Sequence, residues 1–354
     1  MFVHSKRPRW LGLEYVSMVA TGVLLVATAW SPTPYVLERP GPAFDTTGQI
    51  DGKQVMTLEG VQTHPTQTRL DFTTVYVVGG PGASPRILDT VHAWLSKTQA
   101  VLPQEVMYPP AATREEINNS GSAAMDSSQD LAVASALEYL GQDYDTTLTV
   151  HEISPGSPAD GVLRSGDAIR AVDGRPVTSL EMLRELLNDG DDGTVTVQVD
   201  RDGHQQDLSV DTVDGNRQLG VYLERDFDFP FEVSFALDNV GGPSAGMMLS
   251  LGVIDELTPG SLGGDTHVAG TGTIRVDGQV GPIGGVRQKM VGAAEAGAEL
   301  FVAPVGNCAE IVGHVPDGLV VVAVDDLDEA VNALESVADS GGEFRALPSC
   351  ETAL

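Results

Sequence analysis

Two side chains in this sequence are suited to acyl-transfer chemistry by type and setting. Ser244 sits in Gly242-Pro243-Ser244-Ala245-Gly246, at a turn that runs into the apolar, helix-like stretch Met247–Leu257. Amides left open at a helix start, with their partial positive charge, suit an oxyanion forming beside a serine. A serine in this place also serves as an ordinary helix N-cap. Lys289 lies 45 residues further on, among Met290, Val291, Ala293 and Ala294, and is the only lysine after Lys97. Every other basic residue of the arginine or lysine type beyond that point is arginine. A guanidinium keeps its proton in a protein, whereas a buried ammonium is driven toward the neutral amine. Lys289 is therefore a candidate base, and its plain alternative is a snorkelling surface lysine.

Between these residues lie Gly270-Thr271-Gly272-Thr273-Ile274 and Pro282-Ile283-Gly284-Gly285-Val286-Arg287-Gln288-Lys289. The GPSAG turn, the TG-x-I segment and the P-I-G-G-x-x-x-K segment at this spacing resemble the proteolytic domain of Lon-type serine peptidases, over roughly Val221–Leu334. The resemblance implies a Ser–Lys dyad with Ser244 as nucleophile and Lys289 as general base. It also implies that the Thr271 hydroxyl helps to hold the lysine, and that the subunits assemble as a homo-oligomer. Gly242 is a candidate amide of the oxyanion hole. Two positions depart from the family pattern: Gly241 replaces an acidic residue, and Thr273 replaces a glutamate. No G-x-x-x-x-G-K-[ST] phosphate loop occurs in the chain, so ATP-independent proteolysis is expected, without cofactor.

GPSAG also fits the G-x-S-x-G elbow of α/β-hydrolases, with His314 available after Asp265 or Glu299. That fold requires a larger sheet than the remaining residues supply. A non-catalytic scaffold that keeps a dead protease fold would be expected to have lost Ser244 or Lys289, and both are present.

Upstream, helical periodicity from Met125 to Leu140, with an N-cap from Asp126, Ser127 or Ser128, leads to an alternating strand at Thr147–Ile153. Ser157-Pro158-Ala159, then Gly166-Asp167-Ala168-Ile169, then Val172-Asp173-Gly174 follow in the order found in PDZ domains of bacterial proteases, which the segment resembles. Such domains add a peptide C-terminus as an extra strand. The carboxylate loop is expected at Tyr139-Leu140-Gly141-Gln142, where Gly141 serves equally well as a helix C-cap. Protein or peptide substrates with free C-termini are the partners this implies.

Lys6, Arg7 and Arg9 precede the apolar run Leu11–Trp30, which is long enough as a helix to span a bilayer. Basic residues stay cytoplasmic, so a single-pass anchor in the cell membrane with an extracytoplasmic catalytic domain is expected. Ala27-Thr28-Ala29 offers the rival reading of a cleaved signal peptide. The formal net charge of −30 disfavours nucleic acid as a partner. Cys308 and Cys350 are read as a disulfide or as two buried thiols, and neither has neighbours at metal-ligand spacing. The expected organisation is α+β throughout: a cytoplasmic tail (1–10), a transmembrane anchor (11–30), an N-terminal α/β segment (31–124), a PDZ domain (125–213) and a Lon-type domain (221–340).

Overall fold

The computed structural model describes residues 10–50, 52–109, 111–189, 193–212, 218–237, 240–344 and 347–353. It divides into two compact units, Met1–Tyr139 with Val233–Leu354, and Leu140–Glu232. The first unit begins with helix α1 (Trp10–Ala29). Its apolar side chains are exposed on all sides, among them Tyr15, Val16, Met18, Val19 and the run Val23–Val26. Among the described residues no helix is long and apolar enough to cross a membrane, so the anchor expected over 11–30 is not shown. The α1 side chains of residues 10–13 and the basic residues Lys6, Arg7 and Arg9 lie outside the described residues.

Strands β1 (Tyr35–Asp45) and β2 (Arg69–Gly79), helix α2 (Ile87–Leu95), strand β3 (Ala100–Pro103) and the long helix α3 (Arg114–Leu140) follow. α3 starts far earlier than Met125. A capping box opens it: Glu116 N–H donates to Thr113 Oγ1 at 3.2 Å, and Thr113 N–H donates to Glu116 Oε2 at 2.8 Å. Ser128, expected among the cap residues, is thus a buried mid-helix residue, and its hydroxyl donates to the Pro243 carbonyl at 3.0 Å.

The second unit comprises β4 (Asp145–Ile153), β5 (Ala168–Val172), α4 (Leu180–Asn188), β6 (Thr194–Arg201), β7 (His204–Asp211) and β8 (Val221–Asp228). Its main sheet runs in the order β7-β6-β5-β4-β8. Leu148, Val150, Ile169, Val195, Val197 and Val199 form the core with Leu183 and Leu186 of α4. Ser179 caps α4 by accepting the Met182 N–H at 3.1 Å. By contacts the compact unit begins at Leu140, so residues 125–139 of the expected 125–213 module group with the first unit, and β8, expected to open the following domain, completes this sheet. The alternation Val221-Tyr222-Leu223-Glu224 fits either assignment. Antiparallel pairing from Val221↔Ile153 to Asp228↔Asp145 decides it.

The chain re-enters the first unit at Val233. There follow α5 (Gly246–Leu257), β9 (His267–Gly270), α6 (Val286–Glu295), β10 (Leu300–Pro304), α7 (Cys308–Ile311), β11 (Val320–Val324), α8 (Leu327–Ser340) and α9 (Cys350–Ala353). One mixed sheet organises the unit in the order β11-β10-β9-β2-β1-β3. β2, β9, β10 and β11 are mutually parallel, and β1 pairs antiparallel with both β2 and β3. Every residue of β10 is buried, as expected of a parallel strand covered on both faces. Residues 31–124 are therefore no separate segment. Val36, Leu37, Leu70 and Phe72 are fully buried in β1 and β2, which form half the width of this sheet with β3. Cys308 and Cys350 are joined by a disulfide that ties α9 to α7.

Candidate active site

Three elements of the first unit converge on Ser244. The turn before α5 brings it there through Gly242, whose φ of +89° is a left-handed conformation that favours glycine. α3 supports this turn from outside. Gly121 O accepts the Gly242 N–H at 2.9 Å, and Ser128 holds the Pro243 carbonyl. Close approach is needed at Gly246, where an added methyl would lie 2.8 Å from both Ser128 Oγ and Ile274 Cγ2. The Gly242 amide, expected as an oxyanion donor, is thereby already committed to Gly121. Among the described residues the amides of Ser244 and Ala245 have no backbone acceptor.

The segment after β9 supplies Thr271. Its hydroxyl donates to the Ser244 carbonyl at 2.9 Å, and the Gly272 N–H donates to the same oxygen at 2.9 Å. These two bonds fix the serine backbone. α6 supplies Lys289 from its first turn, where the Lys289 N–H donates to Gly285 O at 3.0 Å. The entry to α6 is pinned by Asn307, which accepts the Ile283 N–H at 2.9 Å and donates to the Ile283 carbonyl at 2.8 Å.

Lys289 Nζ donates to Ser244 Oγ at 2.6 Å and to Thr271 Oγ1 at 2.8 Å. The lysine is 2% exposed, Thr271 is fully buried and Ser244 is half-buried. Burial brings the Lys289 amine down to about 7 from its ordinary 10.5, against an opposing pull from Glu38. A snorkelling surface lysine is thus excluded.

The histidines weighed from the sequence are placed elsewhere. The exposed His314 ring bonds to its own segment at Val312 O. His267 Nε2 lies 2.9 Å from Asp71 Oδ2, and Arg69 donates to both oxygens of that carboxylate at 3.0 Å. Burial alone would push the Asp71 carboxyl up, but the bonds from His267 and Arg69 hold it below its ordinary value. Among the described residues no group of three His, Cys, Asp or Glu side chains could hold a metal ion.

Tyr139, Leu140, Gly141 and Gln142 lie where α3 ends, with Gly141 in the left-handed region at φ +63°. This is the helix C-cap alternative. β4, the strand that follows, is hydrogen-bonded to β5 on one side and to β8 on the other. It has no free edge along which a peptide could add. β8 is the edge strand next to β4, with β7 at the opposite edge, and it is preceded by Leu219 and Gly220, whose carbonyls accept the N–H groups of Ala159 and Ser154.

Comparison with known proteins matches two segments of the chain, the first of them starting within α3. Residues 238–336 match the family described as Lon protease (S16) C-terminal proteolytic domain, and residues 127–212 match the PDZ domain family. The chain is similar to Lon protease 2 of Herpetosiphon aurantiacus, 42% identical over 93 residues, which are 25% of this chain and 11% of that protein. It is also similar to Lon protease 2 of Bacillus subtilis, 33% identical over 95 residues, or 27% of this chain and 17% of that protein. The chain therefore spans less than a fifth of the length of these relatives. Two solved structures show a partial likeness to the chain. The PDZ domain of an SdrC-like protein from Listeria innocua is 20% identical, with TM-score 0.20, over 22% of this chain and 93% of that one. A protein from Geobacillus thermodenitrificans is 30% identical, with TM-score 0.17, over 18% of this chain and 76% of that one. The chain carries a Lon protease C-terminal proteolytic domain and a PDZ domain.

Proposed function

We propose that this chain is an ATP-independent serine endopeptidase working through a Ser244–Lys289 dyad. One observation carries the reading: a lysine buried without a hydrogen-bonded carboxylate, its amine between the hydroxyls of Ser244 and Thr271. When the amine is neutral, the 2.6 Å contact reverses, and the Ser244 O–H donates to the nitrogen lone pair. As Lys289 takes that proton, Ser244 Oγ attacks the peptide carbonyl. The oxyanion is met by the amides of Ser244 and Ala245 at the start of α5. The ammonium then gives its proton to the leaving amine, and an acyl-enzyme remains. Neutral Lys289 next takes a proton from water, whose oxygen releases the acyl group and regenerates Ser244.

This chain holds no nucleotide-binding loop, so its substrates are loose or already unfolded protein segments. We place their C-termini on the PDZ unit, where an added strand would pair with the edge strand β8 rather than near Gly141. The twenty residues of α1 would measure about 30 Å along the axis, close to the hydrocarbon thickness of a bilayer. The apolar run Leu11–Trp30 behind Lys6, Arg7 and Arg9 is what favours a membrane anchor that leaves both units outside the cytoplasm.

The test is cleavage of an unfolded protein by the full chain without nucleotide. The wild type is expected to cleave it, and Ser244→Ala to lose cleavage while keeping its circular dichroism. Cleavage that persists in Ser244→Ala would refute the assignment.

A further inference from the structure

The two carboxylates that the family resemblance leads one to expect beside the dyad are absent, since positions 241 and 273 are Gly and Thr. A carboxylate does lie against the start of the helix that carries Lys289, from the opposite end of the chain. Glu38 on β1 is 6% exposed, in a strand whose neighbours Val36 and Leu37 are fully buried. α6 crosses β1 in close contact: a methyl added at Gly292 would lie 2.5 Å from Gly41 O. At the start of the same helix, a methyl added at Gly285 would lie 3.5 Å from Glu38 Oε2 and 3.8 Å from Gln288 Oε1. Glu38 Oε2 thus lies against the first turn of α6, and Lys289 stands one turn beyond Gly285.

We propose that Glu38 is a positioning residue of the reaction, stabilising from β1 the ammonium that Lys289 becomes on taking the Ser244 proton. This rests on the Ser244–Lys289 reading above. Thr271 and Ser244 give the lysine only neutral oxygens, so a buried ammonium between them has no counter-charge of its own. Glu38 supplies one, and its charge acts on Lys289 in the required direction. Other groups bear on Glu38 in turn. Burial and the Glu310 carboxylate of α7 push its carboxyl up, and Lys289 pulls it down. Tyr108 also shares this environment, its hydroxyl raised by burial, opposed by Arg114 and pushed further up by Glu38. Glu38 and Lys289 thus each favour the other's charged form. The dyad is preset close to neutrality by two opposing influences, burial of the amine and a carboxylate behind it.

The experiment is the pH dependence of kcat/KM for full-length wild type, Glu38→Gln and Glu38→Asp on an unfolded protein substrate. Without the carboxylate the amine is a weaker base. Glu38→Gln should move the rise of kcat/KM about one pH unit toward acid and lower its plateau several-fold, so that the two profiles cross. Glu38→Asp, which keeps the charge but withdraws it by one methylene, should move the midpoint the same way by less than half as much. A residue that merely filled space would change the plateau without moving the midpoint. Should Glu38→Gln not fold, Glu38→Asp decides the question alone. A wild-type midpoint in the folded variants overturns the role of Glu38. Activity surviving in Ser244→Ala overturns the dyad reading instead, so the two failures are distinguishable.

Discussion

Each unit of the molecule sets a cation against buried groups, Arg201 half-buried beside a buried carboxylate and Lys289 itself buried, and the two are treated in opposite ways. In the PDZ unit, Arg201 donates from Nε and Nη2 to the two oxygens of Asp167 at 2.7 Å each, and Asp167 is 1% exposed. Arg201 gives a further bond to the Val162 carbonyl at 3.0 Å. The hydrogen bond to Asp167 raises the arginine above its already high value, so its charge is permanent. In the catalytic unit, Lys289 is hydrogen-bonded only to hydroxyls, and burial brings it to about 7. A half-buried guanidinium with a buried bidentate partner is a structural clamp. A buried amine without one is a titratable base. The difference lies in the partner supplied, and it separates a site that holds a fold from a site that does chemistry.

The comparison is broken most severely by exchanging the cation types. Lys289→Arg keeps the charge and removes the base, and should lower kcat/KM at least about a thousand-fold. Arg201→Lys keeps a charge but loses the fork, and should leave hydrolysis of a short peptide within about two-fold. Assays of both variants on one peptide check this, and equal losses would erase the distinction.

Stability should respond with opposite signs. Arg201→Met strands a buried Asp167 carboxylate and should cost on the order of 3 kcal/mol in the unfolding transition of the PDZ unit. Lys289→Met removes an amine that is held far below its unfolded pKa, and should stabilise the catalytic unit by about 1–3 kcal/mol at pH 6. Denaturant titrations read both values. A destabilised Lys289→Met would show that the amine is satisfied in its charged form.

That second difference also depends on pH, by up to about 1.4 kcal/mol per unit. From pH 7 to about 10.5 the unfolded chain still binds the lysine proton while the folded chain does not. The wild type therefore gains stability on going up through this window, relative to Lys289→Met. The advantage of the methionine variant should shrink steadily from pH 7 to pH 10. A constant advantage would place the folded amine at its ordinary value.

Sequence reading reached these two sites unequally, for physical reasons. Ser244, Thr271 and Lys289 were legible because glycine-dependent turns and a helix start leave local signatures at fixed spacing. The lysine stood out further in a region of arginines. The Asp167 carboxylate fell within a recognisable Gly166-Asp167 turn, yet no local pattern marks Arg201 as its partner, 34 residues along. Glu38 was beyond reach: its approach to α6 joins residues some 250 positions apart through sheet order alone. One feature was readable and misplaced. Thr113-x-x-Glu116 is a capping box that announces α3, but the clearer apolar periodicity near Leu131 drew its start inward. Gly141 fits a carboxylate loop and a helix C-cap equally in sequence, and only the pairing of β4 with β5 and β8 puts the neighbouring sheet edge at β8.

The central claim is that neutral Lys289 activates Ser244. It is tested most directly by the rate at which an active-site acylating reagent, such as a peptidyl fluorophosphonate, labels Ser244 as pH is varied. The wild type should show a labelling rate that rises through a single ionisation near pH 7 and then levels, because burial brings the amine to about 7. His267→Ala and His314→Ala should follow the same curve, and Lys289→Arg should label negligibly at every pH. A rise near neutrality that persists in Lys289→Arg, or disappears with either histidine, would contradict it.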